Sequence, residues 1–280
     1  MRCHHYLKNL LIFIPLFFNG SILNPLYFKY CIFGFICFSL VSSTVYIIND
    51  YKDIEKDKKH PKKSQRPLAS GRIKPHNALF LASICIVLMF TISYYFLENR
   101  GVVYLLVYLG VNLAYSFGLK NIPIIDIILL ASGFIIRIFY GGEITDIAIS
   151  KWLYLVVTCG SLYMGLGKRR NELKREKNTR NVLKHYNIPF LDKNMYVCLT
   201  LSIVFYALWS VDMPNHSLIW TVPLFITSLM FYSLDTEGQS DGDPVEVILS
   251  NKFLLVNVVI YAILIFFMIY METLYECIRF

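Results

Sequence analysis

Residues 253–271 read FLLVNVVIYAILIFFMIYM and contain no charged side chain. The length approaches the ~20 apolar residues that a helix needs to cross the hydrocarbon core of a bilayer. Similar uncharged blocks occupy residues 79–97 and 102–117. Strands of a membrane barrel would be about half as long and would alternate in polarity, so the pattern favours helices. The sequence therefore predicts an all-α, polytopic membrane protein.

We predict nine apolar spans in one domain, residues 1–280, arranged around a central cavity that opens to the cytoplasmic side. We interpret the first block as a span rather than a cleaved leader, because further apolar blocks follow and no small-residue cleavage pattern does. The predicted spans are residues 10–26, 30–48, 78–97, 101–117, 122–141, 151–167, 195–212, 217–234 and 253–272.

The basic residues are concentrated in two loops. Of 27 Lys and Arg residues, nine lie in residues 52–74 and nine in residues 168–193. Four predicted spans separate these loops, so both emerge on the same side, and their positive charge predicts that this side is cytoplasmic. The protein is thus expected to be a multi-pass protein of the cell membrane, with its polar site in loops 49–76 and 168–194. The net charge is +8. Because the basic residues are concentrated in these two loops, no separate basic domain is left to bind nucleic acid.

Residues 49–57, NDYKDIEKD, carry three aspartates at the end of the second predicted span. If the helix continues past the membrane, Asp50 and Asp57 lie two turns apart on one face, with Asp53 between them. Asn49 adds a neutral oxygen. Oxygen ligands with open positions suit Mg²⁺, which retains waters and bridges to phosphates. We therefore predict Asp50, Asp53 and Asp57 as magnesium ligands that face a diphosphate.

This motif, NDxxDxxxD, resembles the first acidic motif of the UbiA-type membrane prenyltransferases, and the resemblance extends over essentially the whole chain. It implies that these acidic residues hold Mg²⁺ against a diphosphate. A branch that acts on polyprenyl phosphates, the phosphoribosyltransferases, is more similar still. The segments that carry this closer likeness are Arg2, Tyr6, Lys8 and Asn9, then His60-Pro61, residues 66–71 (RPLASG), residues 115–120 (YSFGLK) with Asp126, residues 131–134 (ASGF) with Arg137, and residues 167–173 (GKRRNEL).

One departure from the wider family supports this branch. Aromatic prenyltransferases carry a second DxxxD motif after the sixth span, whereas residues 168–193 contain one aspartate, Asp192. Lys168, Arg169 and Arg170 stand there instead, and such cations can hold phosphates directly. The resemblance implies transfer of 5-phosphoribose from phosphoribosyl diphosphate to a polyprenyl phosphate in the bilayer. The alternative is prenyl transfer from a polyprenyl diphosphate to an aromatic acceptor.

The expected catalytic residues are Asp50, Asp53, Lys120 and Lys168, with the cations neutralising phosphates of the donor. The lipid phosphate is already a charged nucleophile, so positioning and charge are expected to dominate over base catalysis. The residues expected to bind substrate are Asn49, Lys8, Arg66, Tyr115, Asp126, Arg137, Arg169 and Glu172. The acidic loop 235–246 is expected to be a soluble turn, or alternatively a lid.

Arg137 has two interpretations that the sequence leaves open. It lies ~16 Å along its helix from Asp126, near or beyond mid-membrane. A lone charge at that depth must face the bundle interior and a partner. It either contacts the lipid phosphate in a cavity or clamps helices together. A transporter is disfavoured, because charges at this depth are sparse and no inverted repeat is apparent. The lipid's chain length and the oligomeric state stay open, and a homo-oligomer is compatible with the sequence.

Overall fold

A computed structural model describes residues 3–59, 63–175, 180–238 and 244–278. Arg2, His60, Pro61 and residues 239–243 of the acidic loop lie outside these ranges. The described chain is helical and contains no strand. Its α-helices are Ile14–Phe18 (α1), Pro25–Lys52 (α2), Ile54–Lys58 (α3), Pro75–Leu97 (α4), Val102–Phe117 (α5), Ile125–Thr145 (α6), Lys151–Arg175 (α7), Ile188–Asp212 (α8), Val222–Glu237 (α9), Pro244–Ser250 (α10) and Lys252–Ile278 (α11).

Short 3₁₀ helices occur between or before these elements, at Cys3–Phe13, Lys63–Gln65, Leu119–Asn121, Asn181–His185 and His216–Thr221. Six helical segments of the described chain are long and apolar enough to cross a membrane: Pro25–Lys52, Pro75–Leu97, Ile125–Thr145, Ile188–Asp212, His216–Glu237 and Lys252–Met271. This confirms an all-α, multi-pass membrane protein. Helices α5 and α7 and the N-terminal segment match the three other predicted spans, and their crossing stays a prediction.

The predicted bounds of the first span, residues 10–26, are wrong. The segment starts with the 3₁₀ helix Cys3–Phe13, continues as α1 and ends at Phe18. Because a 3₁₀ helix rises ~2.0 Å per residue, these few residues extend over about 30 Å. A turn with Gly20 at a φ of 77° follows, and α2 then starts after Asn24, whose side chain accepts the backbone N–H groups of Leu26 and Tyr27.

The N-terminal segment packs into the bundle at a glycine of α6. Ile12 and Leu16 are fully buried, and a Cβ atom at Gly141 would overlap the backbone carbonyl of Ile12. The last helix closes the arrangement from the other side, where the Tyr270 hydroxyl lies 2.8 Å from the carbonyl oxygen of Phe17. The first and last membrane segments are therefore neighbours.

Arg137 is an interhelical clamp. Its Nε donates to Asn9 Oδ1 at 2.9 Å, Nη1 to the Gly133 carbonyl at 2.6 Å, and Nη2 to the Tyr108 hydroxyl at 3.2 Å. The guanidinium also lies 4.8 Å from the centre of the Phe38 ring. With the residue only 4% exposed and all three nitrogens engaged, the structure favours the clamp over a contact with the lipid phosphate.

An apolar cavity of about 430 Å³ lies at the end of the bundle away from Asp50. Five aromatic side chains contribute to its lining, Phe18, Tyr206, Trp209, Phe225 and Tyr261, together with mostly aliphatic residues. This apolar cavity is not the central cavity expected from the sequence. The presence of a central cavity that opens toward the cytoplasm stays a prediction.

The close approach at Gly141 predicts a destabilised Gly141→Ala variant. Overpacking of this kind costs about 1–3 kcal/mol, so we expect a lower midpoint of thermal unfolding in mild detergent. Gly110→Ala is the matched control, because no atom lies within 4 Å of a Cβ atom there, and alanine is the better helix former. Equal midpoints for the two variants would contradict the described packing.

The clamp predicts that Asn9→Ala destabilises the protein by about 1–3 kcal/mol, because a buried charged donor loses its acceptor. Asn257→Ala is the control: Asn257 also bonds between helices, to the Leu224 carbonyl and the Ser228 hydroxyl, but to neutral partners only. Chemical or thermal unfolding in detergent compares them. A smaller effect at Asn9 than at Asn257 would argue against the clamp.

Candidate functional site

The acidic motif lies at an interruption between α2 and α3. The prediction of one continuous helix is wrong in one detail, because α2 ends at Lys52 and Asp53 separates α2 from α3. The backbone hydrogen bonds nevertheless run on, from Asp53 N–H to the Asn49 carbonyl at 3.0 Å and from Asp57 N–H to the Asp53 carbonyl at 2.8 Å. The motif therefore keeps roughly helical spacing through the break.

Asp50 and Asp57 face the same side, as their spacing predicts, because one guanidinium contacts both. Arg66 Nη1 lies 3.1 Å from Asp50 Oδ1 and 2.6 Å from Asp57 Oδ2. The RPLASG segment positions this arginine with a tight turn, in which Ser70 N–H donates to the Arg66 carbonyl at 2.8 Å. Arg66, expected to bind substrate, thus also holds the acidic motif together.

The expected trio of metal ligands is not assembled. Among the described residues, no group of three or more His, Cys, Asp or Glu side chains is arranged to hold a metal ion. The Asp57 side chain is only 6% exposed and engages Arg66. The donor chemistry at Asn49, Asp50 and Asp53 nevertheless fits Mg²⁺, since all three offer hard oxygen atoms at one helix end. In this structure Asp57 holds Arg66 in place, and its role as a metal ligand stays a prediction.

Asn49 connects this motif to the end of α5. The Ser116 hydroxyl contacts Asn49 Oδ1 closely, and Lys52 Nζ donates to the Ser116 carbonyl at 2.6 Å. Lys52 also lies over the Phe117 ring. Because Tyr115 precedes Ser116, these contacts bring the acidic motif next to the second polar cluster.

That second cluster forms around Arg169, which is completely buried. Its Nε pairs closely with Asp126 Oδ2, its Nη1 lies 2.6 Å from Glu172 Oε2, and its Nη2 lies 3.1 Å from the Tyr115 hydroxyl. The structure thus brings together four residues that the sequence predicts to bind substrate. All three nitrogens of Arg169 have protein partners in this structure, so Arg169 positions its neighbours, and a direct contact between Arg169 and a phosphate stays a prediction.

Two members of this cluster escape sequence analysis. The Tyr186 hydroxyl donates to Asp126 Oδ1 at 2.6 Å and accepts the backbone N–H of Ile124 at 2.6 Å. Burial, and next the bond to Asp126, raise the pKa of Tyr186, so it remains a neutral donor at neutral pH. Arg180 lies 3.1 Å from the Tyr115 hydroxyl and 3.5 Å from Glu172 Oε1. Tyr186 belongs to no recognisable motif, and Arg180 is one of many cations in its loop.

Lys168 differs from its neighbour Arg169. Lys168 follows the apolar block 151–167 and has other charged residues around it. Within the described chain, its ammonium group nevertheless makes no hydrogen bond or ion pair. Burial lowers the pKa of Lys168; the charges of Lys8 and Arg169 act in the same direction, and Glu172 and Tyr115 oppose them. Lys168 is therefore a partly desolvated cation with capacity for an anion.

The other cations of the predicted site lie in the α5–α6 turn, in the N-terminal segment and in α7. Lys120 lies in the 3₁₀ turn Leu119–Asn121 that joins α5 to α6. Lys8 belongs to the N-terminal 3₁₀ helix and is half-buried. Arg170 pairs closely with Asp192 at the start of α8, which commits the one aspartate of this loop to an ion pair between helices.

Known proteins resemble this chain over most of its length. The decaprenyl-phosphate phosphoribosyltransferase of Mycolicibacterium smegmatis is 33% identical over 274 residues, covering 91% of this chain and 86% of that protein. The enzyme of the same name from Corynebacterium glutamicum is 33% identical over 270 residues, covering 91% and 80%. Among solved structures, a UbiA homologue from Archaeoglobus fulgidus bound to DMAPP and Mg²⁺ superposes with a TM-score of 0.67 at 16% identity, covering 95% of this chain and 97% of that one. This likeness shows a common fold.

The model of the UbiA prenyltransferase family matches residues 11–245, which include the acidic motif and the cluster around Arg169. The resemblance inferred from NDxxDxxxD is therefore confirmed, and the chain belongs to the UbiA prenyltransferase family.

Proposed function

We propose that this protein transfers 5-phosphoribose from phosphoribosyl diphosphate to a polyprenyl phosphate and releases diphosphate. The observation that carries the proposal is the cationic cluster after the apolar part of α7, where Lys168 and Arg169 lie with Glu172 and Asp126. The relatives that match this chain over most of their length bear the name decaprenyl-phosphate phosphoribosyltransferase.

Asn49, Asp50 and Asp53 would hold a divalent cation, taken to be Mg²⁺. The support is the oxygen-only donor set and the Mg²⁺ in a solved structure of the same fold. When bound, the cation supplies charge that stabilises the departing diphosphate. Arg66, held by Asp57 beside these carboxylates, provides a guanidinium within reach of the same phosphates.

The transfer itself requires little acid or base chemistry. An oxygen of the lipid phosphate forms the new bond to ribose C1 while the bond from C1 to the diphosphate oxygen breaks, and the electron pair leaves with diphosphate. The attacking oxygen carries no proton, so no base has to remove one. Lys120 and Lys168 contribute positive charge around the reacting groups, and the buried cluster of Tyr115, Asp126 and Arg169 keeps α5, α6 and α7 in register. Rate enhancement then comes from orientation and electrostatics.

The site faces the cytoplasm in this proposal, because the basic loops and the acidic motif lie at the same end of the bundle. Both substrates reach that end, the soluble donor from water and the polyprenyl phosphate from the bilayer.

Prenyl transfer to an aromatic acceptor is the second candidate, since the family and its solved structures include proteins bound to DMAPP or GPP. The single aspartate of residues 168–193 and its ion pair with Arg170 argue against a second diphosphate-binding acidic motif.

The two candidates separate in one assay. Purified protein in detergent or lipid discs is incubated with Mg²⁺, labelled phosphoribosyl diphosphate and a polyprenyl phosphate. We expect labelled lipid to form. Absence of labelled lipid, together with conversion of a prenyl diphosphate and 4-hydroxybenzoate, would overturn the proposal in favour of prenyl transfer.

The assignment of the acidic motif predicts that Asp50→Asn and Asp53→Asn lower the transfer rate by at least about 100-fold, because stabilisation by the metal is worth several kcal/mol. Glu55→Gln is the matched control: Glu55 belongs to the same acidic segment but is exposed and pairs with Lys58. Its rate should stay within about twofold of the unsubstituted protein. Comparable losses of rate in all three variants would mean that the overall negative charge of the segment, and not metal binding by Asp50 and Asp53, supports the reaction.

A further inference from the structure

We propose that Tyr186 is a positioning residue for the transfer, because its hydroxyl group fixes the turn that carries Lys120. The hydroxyl holds the backbone of Ile124, four residues after Lys120, in a conformation that isoleucine rarely adopts. The inference rests on the proposed function, in which Lys120 contributes positive charge around the reacting groups. It gives the connection between α7 and α8 a part in the reaction.

Ile124 forms a rare turn at the start of α6. Its φ is 69° and its ψ is −46°, and the Ile125 N–H donates to the Pro123 carbonyl at 2.8 Å. These values define the rare, strained class of γ-turn. A positive φ is an outlier for a β-branched residue, and such a conformation persists only when the surrounding structure holds it. The backbone of Ile124 therefore depends on contacts from outside the turn.

The side chains of this turn supply little of that support. No side chain in residues 117–125 is buried, and that of Ile124 is 53% exposed. The contact comes instead from Tyr186, whose hydroxyl accepts the Ile124 N–H at 2.6 Å. The 3₁₀ helix Asn181–His185, which precedes Tyr186, also contacts the 3₁₀ turn Leu119–Asn121. The α7–α8 connection therefore ties the backbone of this turn to the rest of the bundle.

Tyr186 is itself held in a defined position. It is only 7% exposed and belongs to an apolar cluster with residues of α7, α8 and α9. Its ring stacks on that of Phe190, with 6.1 Å between the centroids. The hydroxyl donates to Asp126 Oδ1 at 2.6 Å, and Arg169 pairs with the other oxygen of the same carboxylate. The hydroxyl group therefore bonds the Ile124 N–H to the buried ion pair.

Short backbone hydrogen bonds connect Lys120 to this contact. Two of them, at 2.9 and 3.2 Å, close the turn Leu119–Asn121 around Lys120. The next runs from the Asp126 N–H to the Ile122 carbonyl at 3.1 Å and spans Ile124. Because the turns follow one another without a break, a displacement of Ile124 also displaces Lys120.

The test compares Tyr186→Phe, which keeps the ring and removes only the hydroxyl, with Tyr196→Phe. Tyr196 is a matched control, because its hydroxyl also bonds to a carboxylate, Glu237 Oε1 at 3.0 Å, but belongs to α8. We expect Tyr186→Phe to lower kcat/KM for phosphoribosyl diphosphate roughly 10- to 100-fold, as for loss of a hydrogen bond to a charged group. Tyr196→Phe should stay within about twofold of the unsubstituted protein. Equal rates for the two variants would overturn the inference.

Two further changes separate positioning of the turn from loss of stability. In a Lys120→Met background, Tyr186→Phe should change the rate by less than about twofold, because its effect runs through Lys120. Ile124→Gly should restore most of the rate to Tyr186→Phe, since glycine adopts a positive φ without strain, whereas Ile124→Val should not. Additive losses with Lys120→Met, or equal rates with Ile124→Gly and Ile124→Val, would overturn the inference.

Hydrogen–deuterium exchange of the backbone gives a readout that requires no turnover. The amides of residues 119–126 should exchange about 10-fold faster in Tyr186→Phe than in the unsubstituted protein, and Tyr196→Phe should match the unsubstituted protein. Equal exchange in Tyr186→Phe and the unsubstituted protein overturns the inference. An unsubstituted protein that forms no labelled lipid refutes the proposed function, and the exchange measurement then still decides whether Tyr186 holds this turn.

Discussion

The ion pair between Arg169 and Asp126 is the interaction on which the polar end of this protein depends. Both side chains are completely buried, and a buried charge is tolerated only when it is paired and hydrogen-bonded. Tyr115, Glu172 and Tyr186 complete the set of partners. Since these groups come from α5, α6, α7 and the connection after α7, satisfying one buried guanidinium fixes the relative positions of four parts of the chain.

The cluster around Arg169 also positions Lys168 and the acidic motif. Lys168 is adjacent to Arg169 in α7, and the contact between Ser116 and Asn49 joins the cluster to the acidic motif at the end of α2. A region rich in carboxylates and a region rich in cations therefore lie side by side. A metal-bound diphosphate and an uncomplexed phosphate require opposite local charges, so this arrangement suits a reaction between two anionic substrates.

Much of the fold follows from the sequence, because uncharged blocks of about 20 residues have few alternatives to membrane helices. The spacing of Asp50 and Asp57 likewise predicts their common orientation. The boundary of the first span is mispredicted because a 3₁₀ helix carries no hydropathy signal of its own, and its greater rise lets Cys3–Phe18 extend as far as a longer α-helix. The interruption at Asp53 leaves the hydrogen-bond spacing intact, so periodicity does not reveal it.

The partners of the arginines lie beyond sequence reasoning. Arg66, Arg137 and Arg169 all look like candidates to bind phosphate, but their partners are decided by which helices approach them in three dimensions. Arg137 bonds to Asn9, which is 128 positions away in the chain, and Arg169 bonds to Asp126, 43 positions away. Tyr186 and Arg180 are recognisable as members of the site only once the connection after α7 is seen to return to α5.

The central claim is that the acidic motif binds the diphosphate of the donor while the cationic cluster lies beside it. A cryo-EM structure of the protein in lipid discs with phosphoribosyl diphosphate and Mg²⁺ tests this most directly. We predict density for the metal and the diphosphate against Asp50 and Asp53, with ribose C1 directed toward Lys168. Diphosphate density located away from both aspartates would contradict the account.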